Sequence, residues 1–146
     1  MTSSLRIAVI GGGAAGYFAA IEAKRRNPDA DITIFEKNTK MLAKVAITGG
    51  GRCNLTNSFA LISDAKQAYP RGHKLMKRLL KRFSHIDAYE WFEREGVKLV
   101  TQDDECVFPA SQDSQTIISC LTRLATRLGV RQLCGYQLMD ISQNTD

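Results

Sequence analysis

The chain has 146 residues, 44% apolar and 24% charged, with a net charge of +5 at neutral pH, which is ordinary for a soluble globular protein with room for one real core. No apolar run approaches the ~20 residues of a membrane span. Met1-Thr-Ser-Ser also lacks the basic start and long apolar stretch of a secretory signal, so a cytoplasmic location with no membrane partner is expected.

The first predicted strand is the apolar run Ile7 to Ile10, and Gly11-Gly12-Gly13-Ala14-Ala15-Gly16 follows it. Tyr17 to Arg26 then reads as a helix, and Asp31 to Phe35 as a second strand ending on Glu36. Strand, G-x-G-x-x-G turn, helix, strand and terminal carboxylate form the dinucleotide-binding βαβ order. Gly11 permits the tight turn, and Gly13 has no Cβ, so a pyrophosphate can approach the backbone. Gly16 lets the helix lie close on the strand. The helix start at Ala14 and Ala15 offers N–H groups and partial positive charge to phosphates. Glu36 lies 20 residues after Gly16, where a carboxylate can accept hydrogen bonds from the adenosine ribose hydroxyls. It disfavours NADP, whose 2′-phosphate it would repel.

A polar loop, Lys37 to Lys40, leads to Met41–Thr48 and a second glycine cluster. Residues 59 to 69 read as a short helix or irregular segment, and Tyr69-Pro-Arg-Gly72 as a turn. The acid-free stretch from Arg71 to Arg82 follows, with Leu75, Leu79, Leu80 and Phe83 at helical spacing. Lys74, Lys77, Arg78, Lys81 and Arg82 face away from them, giving an amphipathic helix with a basic face. A solvated surface is the plain reading of that face. The other is a nucleic-acid or membrane surface, and the absence of aromatics interleaved among the basic residues weakens the nucleic-acid version.

Ser84 with Asp87 three residues on marks a helix start, and Gly96 its stop. Val97–Thr101 and Glu105–Phe108 predict a hairpin about Asp103-Asp104, ended by Pro109. Asp113 to Leu128 is a helix by the spacing of Ile117, Ile118, Leu121, Leu124, Ala125 and Leu128. Val130–Cys134 is a strand returning to the parallel sheet, and Gln137–Ile141 a further one. The expected fold is α/β: a Rossmann-like FAD/NAD(P)-binding domain over residues 1–146, with a βαβ start, a parallel sheet, inserted helices and a small hairpin, and incomplete.

Cys53, Cys106, Cys120 and Cys134 are widely spaced and form no C-x-x-C, so neither a zinc site nor a thioredoxin-like pair is indicated. With only His73 and His85, no metal cluster is expected. The segment Thr48-Gly-Gly-Gly-Arg-Cys-Asn-Leu-Thr-Asn57 is the second informative motif. Gly49, Gly50 and Gly51 let backbone N–H groups converge on an anion or a flat ring. Arg52 can neutralise a phosphate, and Asn54 can donate and accept in one place.

Gly11–Gly16, Glu36-Lys37, Lys44 through the Gly49–Asn57 string, and Val107-Phe-Pro-Ala-Ser111 together resemble the bacterial NAD(P)/FAD-dependent oxidoreductases, the aminoacetone-oxidase-family FAD-binding flavoproteins. The family pattern often carries Gly-Arg-Lys before the glycine loop; here Leu42-Ala43-Lys44 stands in its place, so only Lys44 carries over. The resemblance implies extended FAD, its ADP half on Gly11–Gly16 and Glu36-Lys37, and its ribityl and flavin end near Gly49–Asn54. NAD(P)H is a candidate electron donor, the substrate a small molecule of unstated identity, and Cys53 a site residue with no partner cysteine nearby. Family members are longer, so the chain reads as an N-terminal portion lacking a substrate domain and a C-terminal return. Two alternatives stay open: a non-catalytic dinucleotide-binding fragment, and an NAD-binding dehydrogenase domain, which leaves Gly49–Asn57 unexplained. No residue is assigned a catalytic role.

Overall fold

The computed structural model describes residues 5–143. In chain order the elements are β1 (Arg6–Ile10), α1 (Ala14–Arg26), β2 (Asp31–Glu36), α2 (Ala43–Ile47), a 3₁₀ turn (Thr48–Gly51), β3 (Thr56–Asn57), α3 (Ala65–Ala68), α4 (His73–Leu80), α5 (His85–Arg94), β4 (Leu99–Thr101), β5 (Cys106–Pro109), α6 (Ser114–Arg127) and β6 (Arg131–Cys134). They divide into two compact units. One holds the described residues up to Val45 and from Ile118 on; the other is Ala46–Ile117. None of the described helices is long and apolar enough to cross a membrane.

The first unit is a Rossmann domain built on a parallel sheet of order β1-β2-β6. β2 lies between its neighbours and buries Ile32, Thr33 and Ile34 in succession, the continuous burial of a strand covered on both faces. The register sets Ile7 beside Ile32 and Val9 beside Ile34. α1 buries Tyr17, Ala20 and Ile21, spaced i, i+3, i+4 on one stripe. α6 adds Cys120, Leu121, Leu124 and Ala125. Each large side chain fully buried here is worth about 1.5–3 kcal/mol. Lys24, Arg25 and Arg26 occupy the last turn of α1, where cations suit the carbonyl end.

The expected return to the parallel sheet is present: β6 pairs with β2, Phe35 beside Leu133. The further strand over Gln137–Ile141 is absent. After β6 the chain turns at Gly135, φ +78, and Gly135 and Tyr136 donate their N–H groups to Asn38 and Glu36 carbonyls at 3.1 and 2.9 Å. Those two bonds lead the chain past the end of β2, so Gln137–Ile141 runs without a ladder. α1 starts three residues before the expected Tyr17, at Ala14, directly on the glycine turn.

The second unit carries an antiparallel sheet of order β3-β5-β4. The predicted hairpin is there, with Val100 opposite Phe108, and Pro109 is the last residue of β5 rather than a residue outside it. α5 begins in a capping box. Ser84 Oγ accepts from Asp87 N, while Asp87 Oδ2 accepts from Ser84 N. The Ser84 hydroxyl, which donates to the same Oδ2 at 2.7 Å, and then the Ser84 N–H hold the Asp87 carboxyl below its ordinary pKa. Trp91 is buried and meets Phe92 edge-on at 4.8 Å.

Candidate functional site

The glycine turn of the first unit assigns each glycine a distinct job. Gly11 sits at φ +104, where only glycine is unstrained, and its N–H donates to Phe35 O at 2.8 Å. Gly12 is buried; a Cβ there would stand 2.2 Å from Met41 Sδ and 3.0 Å from Glu36 Cβ. Its own carbonyl accepts from Leu42 N at 2.7 Å. A Cβ on Gly13 would meet nothing within 4 Å. A Cβ on Gly16 would lie 2.0 Å from Gly11 O, so Gly16 is the close-packing glycine of the motif.

Gly13 is also the N-cap of α1, which has no side-chain cap and no acid in its first turn. The exposed Ala14 and Ala15 therefore open a helix start that presents backbone N–H groups and partial positive charge outward. An anion is the natural occupant of such a turn.

Glu36 closes the site at the end of β2. Its Oε2 accepts from Gly12 N at 2.8 Å, and its Oε1 from Asn38 N at 2.9 Å and Asn38 Nδ2 at 2.7 Å. The Asn38 N–H, then the Gly12 N–H, hold the carboxyl below its ordinary pKa, so it is ionised at neutral pH. A carboxylate offers about four acceptor positions. Three are filled within the chain, so Glu36 has room for about one ribose hydroxyl rather than both. A hollow of about 370 Å³ lies alongside, lined by Ile10, Phe35, Glu36, Lys37, Tyr136 and Leu138, within the size range of small-ligand pockets. Tyr136 packs edge-on against Phe35 at 5.9 Å. Lys44 is exposed on α2 and makes no ion pair among the described residues.

Met41, Tyr136 and Leu138 belong to this site although nothing singled them out in the sequence, and Gly12 joins them. Gly12 was legible as the middle of a glycine triplet. Tyr136 carries no signal, because it arrives from 100 residues away through the pairing of β6.

The second unit holds the other predicted group. Gly49, Gly50 and Gly51 take φ of +57, +66 and +86, three successive left-handed residues that glycine alone adopts freely. A Cβ on Gly49 would lie 2.7 Å from Asn54 N and 3.0 Å from Phe108 Cε1; Gly50 is open. Arg52 is committed inside the chain. Its guanidinium sits 4.3 Å over the Phe108 ring and donates to Gly49 O at 3.2 Å and Gln112 Oε1 at 3.3 Å. It acts first as a strut holding the glycine loop to the β5 region, ahead of any phosphate. Arg52→Ala is expected to cost about 1 kcal/mol, the sum of an exposed cation–π contact and modest hydrogen bonds. Chemical denaturation of the two proteins checks this. Cys53 is buried at φ +63, and burial raises its thiol pKa, which opposes a thiolate. Asn54 is exposed.

The first unit thus fits the ADP half of a dinucleotide: an anion-binding helix start, open space at Gly13, an ionised carboxylate and an apolar hollow. The model of the HI0933-like protein Rossmann domain matches residues 5–146. A 3-dehydro-bile acid delta(4,6)-reductase of Clostridium scindens is 31% identical over 133 residues, which are 91% of this chain and 32% of that protein. A ribosomal RNA dihydrouridine synthase of Haemophilus influenzae is 23% identical over 92% of the chain and 32% of its own length. The chain therefore spans about a third of each relative. The crystal structure of Thermovibrio ammonificans THI4 aligns over 90% of the chain and 38% of its own, with a TM-score of 0.57 at 12% identity, a likeness of fold. With the family model matching nearly every residue, the chain belongs to the HI0933-like family and carries its Rossmann domain.

Proposed function

We propose that the chain is the FAD-binding portion of a flavin-dependent oxidoreductase that reduces a carbon–carbon double bond conjugated to a carbonyl. The carrying observation is the first-unit site, where the open Gly13 turn and the ionised Glu36 stand beside the hollow of Phe35 and Tyr136. The Gly49–Asn54 loop favours FAD over NAD, because a plain NAD-binding domain has no use for three successive left-handed glycines and a buried Cys53. The relatives' names support the reaction class: a delta(4,6)-reductase and a synthase of dihydrouridine both saturate such a bond. Bound flavin supplies the hydride for such a reduction, with NAD(P)H as the proposed donor. The chain's own residues hold it. Gly13, Ala14 and Ala15 present the backbone to the pyrophosphate, Glu36 takes a ribose hydroxyl, and Lys37 flanks the adenosine hollow. On this reading the substrate is a small molecule and the enzyme is cytoplasmic.

The purified protein, reconstituted with FAD and freed of excess, is expected to show the two visible flavin bands. A colourless protein removes the proposal. Glu36→Ala should weaken FAD binding roughly ten- to a hundredfold, as for loss of a charged hydrogen-bond acceptor, read by flavin fluorescence. The pH dependence has a defined sign. A depressed carboxyl pKa means the Glu36 contacts are complete above the ordinary carboxylate value, 4.5. They are lost as pH falls through the lower folded value. Affinity should hold from pH 7 to 5 and drop only below that, and Glu36→Ala should abolish the drop.

A further inference from the structure

We propose that α4 and the turn after it form a docking surface for an anionic phospholipid membrane, its cations on the headgroups and Leu75 and Leu79 among the upper acyl chains. Arg71, Lys74, Lys77, Arg78, Lys81 and Arg82 fall within twelve residues that contain no acid. All six are exposed, and none forms an ion pair among the described residues. They account for the chain's whole positive excess, since acids and bases nearly balance elsewhere. Six unneutralised cations on one short surface repel one another unless an anion covers them. The carboxylates of α5 are engaged elsewhere. Asp87 closes the capping box, and Glu90 and Glu93 line a hollow with Thr101 and Val107 that no residue of α4 enters.

The leucines decide which anion. Leu75 and Leu79 remain 52% and 50% exposed, while Met76 and Leu80 of the same helix are half-buried. At 3.6 residues per turn, Met76 and Leu80 mark the side packed on the unit, and Leu75 and Leu79 lie beside it, toward solvent. Arg78 follows Leu75 by three residues and Arg82 follows Leu79 by three, so each leucine has a cation as its neighbour on the outer surface. Arg82 and Phe83 both donate their N–H groups to Leu79 O, at 2.8 and 3.0 Å, which carries the helical spacing past Leu80. Phe83 is 41% exposed and extends the strip. An outward apolar strip flanked by cations is the pattern of a helix lying in a membrane interface. The leucines then leave water, and the long Lys and Arg stems let the charges reach the headgroups. A polyanion in solution would meet the cations but leave the leucines wet. The expectation of no membrane partner rests on the missing span, and docking of this kind needs none. The site is independent of the flavin reading and is assayed without cofactor.

The test is sedimentation of the purified chain with sucrose-loaded vesicles. Vesicles of phosphatidylglycerol and phosphatidylcholine in equal parts should carry the protein down at low salt, and vesicles of phosphatidylcholine alone should not. Binding should fall as salt rises, because exposed charges are screened. Changing Lys77, Arg78, Lys81 and Arg82 together to Gln should weaken binding by about a hundredfold or more, at roughly fivefold per cation. Leu75→Gln with Leu79→Gln should weaken it roughly tenfold with every cation in place, as for lost burial of two half-exposed side chains. Circular dichroism serves as the folding control for both variants. Three results overturn the proposal: no binding to the anionic vesicles at low salt, equal binding to both kinds of vesicle, or anionic-vesicle binding that the leucine variant retains in full, which would make α4 a patch for any polyanion.

Discussion

Gly16→Ala is expected to destabilise the protein by about 3 kcal/mol, although alanine is the better helix former. Propensity favours the substitution by ~1 kcal/mol inside a helix. Against it stands a Cβ placed 2.0 Å from Gly11 O and 3.2 Å from Gly11 C. Both are backbone atoms of the turn, and no rotamer change can relieve them. Either α1 moves off β1 or the turn opens, and overpacking that ordinarily costs ~1–3 kcal/mol, occasionally more, here has no side chain to yield, giving a gross cost of about 4 kcal/mol before the propensity gain. For a domain this size, 3 kcal/mol lowers the melting temperature by roughly 10 °C. Ligand binding should fall too, because the helix start moves with the helix. A thermal melt followed by circular dichroism checks the change, and an unchanged melt would mean that the turn does not pack as described.

Gly13→Val should do the reverse, sparing the fold and removing the ligand. Gly13 lies at φ −88 and ψ −177, ordinary extended backbone, and a Cβ there meets no atom of the chain. The cost to the fold is that of a poor N-cap, at most ~1 kcal/mol. The valine side chain would fill the space in front of the N-terminus of α1, where the pyrophosphate is proposed to lie. Affinity for ADP should fall at least a hundredfold, roughly 3 kcal/mol or more, in calorimetric titration with an unchanged melt. The pair tests separately the two roles read from the motif, packing for Gly16 and the proposed ligand for Gly13.

How much of this was legible in the sequence depended on how local each feature is. The βαβ order from Ile7 to Glu36 is set by neighbouring residues, and so are the Ser84–Asp87 cap and the period of α6. All three stand in the structure as expected. β3 was not legible, since its two residues, Thr56 and Asn57, become a strand only by pairing with Val107 and Cys106. Gln137–Ile141 misleads for the converse reason. Its apolar residues suit a strand, but the bonds of Gly135 and Tyr136 to the end of β2 take it past the sheet. Residue type marked Arg52 as able to neutralise a phosphate, but its place 4.3 Å over the Phe108 ring was not legible. Glu36 was legible as an acceptor, but not its three bonds to Gly12 and Asn38, which cut its free capacity to about one hydroxyl.

The central claim is that the first unit holds the ADP half of FAD. A competition titration tests it most directly: FAD fluorescence is followed as protein is added, then as ADP or NAD is added to the complex. Saturable quenching by the protein, reversed by ADP and little affected by NAD at the same concentration, is the predicted result. Absence of quenching by a folded protein, or displacement by NAD at lower concentration than FAD itself requires, would contradict it.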